Sequence, residues 1–181
     1  MFDARCMLRF FVTGLSIICA GCGVAEQPEW AKTVAAYEVP LPTAADKARF
    51  LGLLKQEAEV AGFHVDASTP EELKVRSEIS PMTFSASVWR GDDDEESMLS
   101  AMDFQDRIGR VWIAFPRGQD AHRSTRFRES LVPKIRSVWR ETASLPIMPS
   151  GAIPLTADLV RTPSGYVVNP AAAAKYNDDV Q

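Results

Sequence analysis

Apolar residues recur along this chain with two different periods, and the switches between them mark out its elements. From Thr43 to Ala61, TAADKARFLGLLKQEAEVA, Phe50, Leu53, Leu54 and Ala61 return at helical spacing. Thr43 can cap that helix with Asp46 three residues on, and Gly62 stops it. Phe63–Ser68 alternates apolar and polar, while TPEELKVRSE fits either a short helical turn or more strand. In MTFSASVWR, Met82, Phe84, Ala86 and Val88 share one face, with Thr83, Ser85 and Ser87 on the other, which predicts a strand. The acidic stretch GDDDEES, Gly91–Ser97, is the tip of a hairpin, and MLSAMDFQD is its returning strand. After a turn at RIG, RVWIAFP forms a further strand, with Val111, Ile113 and Phe115 facing one way and Trp112 the other. A second helix is predicted from about Ala121 to Thr142. Its apolar stripe is Phe127, Leu131, Ile135 and Val138, with Trp139 at the margin, and Arg126, Arg136, Arg140 and Glu129 lie opposite. Pro133 inside it predicts a kink or restart, because proline lacks the N–H that a helix interior uses.

Leu145–Val160 places three prolines among large apolar residues, so it is extended, yet too apolar for a solvated linker. LVRTPSGYVV then forms a small hairpin turned at Pro163–Ser164–Gly165, and AAAAKYNDDVQ is a frayed end. The order of elements predicts an α+β fold: an antiparallel sheet of three to five strands, two helices on one of its faces, and an extended Pro-rich C-terminal tail. The expected organisation is a leader over residues 1–21, a tether over 22–42, an α+β domain over 43–144, and a tail over 145–181 packed on the same domain.

The leader rests on Arg5 and Arg9 followed by an apolar run from Phe10 to Gly21. That run falls within the ~7–15 residues of a signal-peptide core and short of the ~20 that span a bilayer. The residues Ala20-Gly21-Cys22 resemble the lipobox of bacterial lipoproteins, with Cys19 where that motif usually has Leu. The resemblance covers the leader alone. It implies that Cys22 is lipidated and becomes the mature N-terminus, and that the protein is held in the cell envelope by lipid. By the same resemblance, Gly23 after the cysteine implies the outer membrane, facing the periplasm. No cysteine follows Cys22, so lipidation would also dispose of a thiol with no partner in its own chain.

Charge then divides the remainder. Residues 22–106 hold 17 acidic and 7 basic side chains, whereas residues 107–141 hold 9 basic and 3 acidic. Either the two segments attract each other within one domain, or a basic face meets an acidic partner or lipid head groups. The acidic mature chain and its inferred compartment argue against nucleic acid as a partner.

Chemistry is sparse. His64 and His122 lie on different predicted elements with no ligand-spaced neighbour, so no metal and no cofactor is expected. The acidic tip lacks the alternation and central glycine of an EF-hand loop. No serine sits in a G-x-S-x-G elbow, and Ser150 and Ser164 belong to turns. Glu78 with Asp103 or Asp106 could pair across strands as a glycosidase does, but any acidic protein offers such pairs. The expectation is a non-enzyme: a lipid-anchored binding protein, as are lipoproteins that neutralise toxins or inhibit cell-wall hydrolases. The alternative is an assembly lipoprotein of an envelope or secretion machine that docks through its tail. The candidate partner-binding residues are Arg126, Arg136 and Arg140 on the helix, Asp92, Asp93 and Asp94 at the hairpin tip, and Trp112 if the tail leaves it uncovered.

Overall fold

The computed structural model describes residues 28–78, 81–91, 96–103 and 107–180. The leader with Cys22, and the tip residues Asp92, Asp93 and Asp94, lie outside the described residues.

A 3-10 turn, Glu29–Ala31, leads into β1 (Thr33–Pro40), followed by α1 (Ala44–Ala61), β2 (His64–Ala67) and α2 (Pro70–Ser77). Then come β3 (Ser85–Arg90), β4 (Glu96–Met102), β5 (Arg110–Pro116), α3 (Ala121–Val138) and the two-residue β6 (Ala143–Ser144). Strands β7 (Leu159–Thr162) and β8 (Gly165–Val168) form a separate hairpin, and a 3-10 helix covers Pro170–Val180. The fold is α+β around a six-stranded antiparallel sheet in the order β2-β3-β4-β5-β1-β6.

The local chemistry explains where the helices begin and end. Thr43 accepts from the Asp46 N–H while Asp46 reaches back to the Thr43 N–H, and Gly62 closes α1 in the left-handed region at φ 71°. Thr69 and Glu72 repeat the same box at the start of α2, with Pro70 in its first turn, and so decide TPEELKVRSE in favour of helix. Helix α3 runs unbroken through Pro133. Pro133 is on the exposed side, while Phe127, Leu131 and Ile135 hold both halves of the helix against the core.

Two corrections concern extent. The sheet has six strands, not three to five, because residues 33–40, assigned to the tether, are a strand between β5 and β6. Their pattern is hard to recognise because both faces are covered. Ala35, Tyr37 and Val39 join the helix-side core, while Ala36 and Glu38 turn to the other face. The C-terminal segment is not frayed: Ala172 is buried, and Lys175 and Tyr176 both bind Asp158.

On one side of the sheet, Phe50, Leu54 and Ala58 of α1 share a core with Phe127, Leu131 and Ile135 of α3 and with Val111, Ile113 and Phe115 of β5. On the other side Ala36, Trp112, Ala143, Leu145 and Tyr166 form a second cluster, with Ile147, Ile153 and Leu159 packed against it. The tail therefore supplies the apolar cover for the second face.

Candidate functional site

Trp112 is the first candidate the fold corrects. It does point away from Val111 and Ile113, but only 9 % of it is exposed, under Leu145 and Tyr166. It is a core residue of the tail-side layer and offers a partner no anchor.

Directly across from Trp112 in the β1/β5 register stands Glu38. Its side chain is 1 % exposed. The Glu38 carboxylate accepts from Arg110 Nε at 2.6 Å, the Tyr166 hydroxyl at 2.7 Å and Trp112 Nε1 at 3.1 Å. Arg161 Nη1 lies 3.7 Å and Arg107 Nη1 3.9 Å from the same carboxylate. Both of those guanidiniums also lie over the Tyr166 ring, 5.7 and 5.8 Å from its centroid. Burial alone would raise the Glu38 pKa, but hydrogen bonds from Tyr166, Arg110 and Trp112 outweigh it and hold the carboxyl below its ordinary value. One carboxylate thus joins β1, β5 and the tail hairpin.

The other buried carboxylates are equally committed. Asp103, fully buried, accepts from the N–H groups of Thr83 (2.7 Å), Phe84 (3.0 Å) and Gly109 (3.0 Å), and from the Thr83 hydroxyl. Burial pushes its pKa up, the Thr83 hydroxyl and the three N–H groups pull it down further, and the net direction is downward. A carboxylate so held is a clamp on the β4–β5 turn, not a general acid. Glu78 is exposed at the end of α2, and Asp106 lies outside the described residues, so the described part of the carboxylate pair does not assemble. Glu96, expected in the solvated tip, instead opens β4, is buried, and accepts from Arg90 Nε at 2.6 Å and from the Gln119 N–H. Glu57 on α1 accepts from Ser130 (2.8 Å) and Lys134 (2.5 Å) on α3, tying the two helices together.

The three arginines of the predicted second helix behave differently. The helix ends at Val138, short of the expected Thr142, so Arg126 and Arg136 lie on α3 and Arg140 in the turn that follows it. Arg126, Arg136 and Arg140 are all exposed, and no carboxylate among the described residues lies within 4.0 Å of them. Arg136 is steadied by a 3.1 Å hydrogen bond to Ser144 Oγ and by the Tyr37 ring at 5.2 Å. Arg126 borders an open depression between α1 and α3, lined also by Val60, Arg123 and Phe127. Arg126 and Arg136 are thus cations presented to solvent on a helix whose other face is locked to the core, and Arg140 is exposed in the turn just past its end.

No protein-family model, curated protein or solved structure matches the chain.

His64 and His122 are exposed on β2 and α3. Among the described residues no group of three or more His, Cys, Asp or Glu could hold a metal ion, and no helix is long and apolar enough to cross a membrane. Of the predicted site residues, the structure leaves Arg126 and Arg136 exposed on α3 and Arg140 exposed in the turn after it, and Trp112 lies in the interior. The feature that sequence reasoning missed is the Glu38 cluster. Its residues lie up to 128 positions apart, and the one available signal was a lone Glu in an otherwise apolar stretch of β1.

Proposed function

We propose that this is a lipid-anchored envelope protein that acts by binding, as an immunity or inhibitor protein, and covers an acidic surface of a toxin or cell-wall hydrolase with the outer face of α3. The observation that carries the reading is the exposure of Arg126, Arg136 and Arg140 with no described carboxylate within 4.0 Å of them, although Asp120 is close enough to Arg126 to feel its charge. Other cations of the domain pair with carboxylates, as Lys134 does with buried Glu57 and Arg117 with exposed Glu29. Two helices on one sheet face and an extended tail on the other leave that helix surface outward and stiff, which suits occlusion of a partner. Charge of this kind raises association rate and partner choice more than affinity. The Ala20-Gly21-Cys22 resemblance supports the anchor and the compartment.

An assembly role is the competing reading. It requires the tail as a docking arm, and that arm is seated on its own sheet through Leu145 and Tyr166, so an assembly role would need another surface.

The test uses the full chain, tagged at its C-terminus, extracted from envelopes in mild detergent. One stoichiometric partner with toxin or hydrolase character should be captured by the native protein and lost by the Arg126→Glu/Arg136→Glu/Arg140→Glu variant. Far-UV circular dichroism of the two proteins should coincide. Equal capture by the variant rejects the α3 face, and failure of Cys22 to take up labelled palmitate rejects the anchor.

A further inference from the structure

We propose that Arg107, Arg110 and Arg161 form a receptor for a dianionic phosphate-type group on the tail side of the sheet. The proposal is independent of the α3 face. Its basis is a local imbalance of charge: three guanidiniums have a nitrogen within 3.9 Å of one carboxylate, Glu38. Among the described residues no other carboxylate lies within 4.0 Å of any of the three, which leaves two positive charges uncompensated. The structural need of Glu38 is already met by Arg110 Nε, the Tyr166 hydroxyl and Trp112 Nε1. Arg107 and Arg161 are within ion-pair reach of Glu38 but beyond hydrogen-bond distance, and one carboxylate can neutralise only one of the three guanidiniums.

Their donors are largely unspent. A guanidinium has five N–H groups in a fixed fork. Arg110 uses its Nε on Glu38, Arg161 uses Nη2 on the Glu141 carbonyl at 3.1 Å, and Arg107 makes one long contact to the Tyr166 hydroxyl at 3.4 Å. The three side chains are 27 %, 31 % and 41 % exposed, so the remaining donors can reach a ligand from solvent without unfolding anything. They are also held in advance. Arg107 and Arg161 rest over the same Tyr166 ring, and the hairpin that carries Arg161 is pressed against β6 at Gly165. Pre-positioned forks around two uncompensated charges match a phosphate, whose charge near neutral pH is about −1.5 to −2 and whose oxygens accept fork hydrogen bonds. The phosphate could be free or the head of a phosphomonoester, and the recognition chemistry is common to both.

Calorimetric titration of the full chain in detergent with inorganic phosphate, and separately with glycerol 3-phosphate, tests this at constant ionic strength against chloride. One saturable site is expected. Affinity should fall about tenfold for each arginine lost in Arg107→Gln and Arg161→Gln, and stay unchanged in Lys55→Gln, an exposed cation on α1. Arg161→Gln alone keeps the test usable if the double variant fails to fold. Tighter binding of glycerol 3-phosphate supports an esterified head group as the ligand, and tighter inorganic phosphate supports the free ion. Heat no greater than that of chloride, or binding indifferent to both arginines, overturns the proposal.

Discussion

Replacing Glu38 with Gln tests the central claim about how the tail is held. Gln keeps the size of the side chain but removes the charge, and its amide turns a donor toward Arg110 Nε, the Tyr166 hydroxyl or Trp112 Nε1, all of which donate to Glu38. Breaking a buried ion pair from one side costs about 3–5 kcal/mol. Here the arginines are a quarter to two-fifths exposed and partly solvated once released, which lowers the expectation to about 2–4 kcal/mol. With a urea slope of about 2 kcal/mol/M, the unfolding midpoint should drop by roughly 1–2 M. The pH dependence sharpens the test. The Glu38 pKa is depressed in the fold by Tyr166, Arg110 and Trp112 against the opposing effect of burial. Its contribution is therefore complete above the unfolded value of about 4.3 and is lost as pH falls through the native one. The gap between native protein and variant should stay constant from about pH 7 to pH 5 and close below about pH 4. Asp103, whose pKa is also lowered, is present in both proteins and cancels. A midpoint shift under about 0.5 M, or a gap that widens in acid, would refute the assignment of Glu38 as the anchor of the tail.

Three further outcomes follow from the same packing. Truncation after Ser144 strips Leu145 and Tyr166 from Trp112, losing about 1.5–3 kcal/mol per large apolar side chain uncovered. The truncated chain should aggregate or bind a hydrophobic dye, and a monomer with native near-ultraviolet dichroism would contradict the tail's role. Gly165→Ala sets a Cβ 2.7 Å from the Ser144 carbonyl oxygen at a backbone φ of 134°, so thermal unfolding should fall by roughly 4–8 °C. Thr43→Ala removes half of the α1 capping box and should cost about 1 kcal/mol in urea, with no loss of partner capture.

What could be read from the sequence was whatever a single element settles by itself. The α1 box at Thr43 and Asp46, the stripe Phe127–Leu131–Ile135, and the opposition of Trp112 to Val111 and Ile113 are local patterns, and the structure has each of them. What escaped depends on contacts between distant segments. Strand β1 hides because a sheet face covered by the tail tolerates Ala36 beside Glu38, which resembles a polar tether when no cover is known. Glu96 and Asp103 look like solvated acids until Arg90, the Gln119 N–H and the β4–β5 turn close on them. Trp112 lost its standing as a binding anchor for the same reason: its cover arrives from Tyr166, more than fifty residues later.

The segregation of charge along the chain admitted two explanations, and the structure divides the basic segment between them. Arg107 and Arg110 reach Glu38, Arg117 reaches Glu29 and Lys134 reaches Glu57, so these cations bind the acidic segment within the domain. Arg126, Arg136 and Arg140 have no such partner among the described residues, and the core does not need them, since α3 is fastened by Phe127, Leu131 and Ile135. Exposed surface charge contributes little to stability in either sign, about 0–1 kcal/mol per pair. The contacts the fold offers these arginines are small surface ones, Arg136 to Ser144 and the Tyr37 ring and Arg126 to the charge of Asp120. Reversing them should therefore shift unfolding by about 1 kcal/mol at most while altering whatever the outer face of α3 meets.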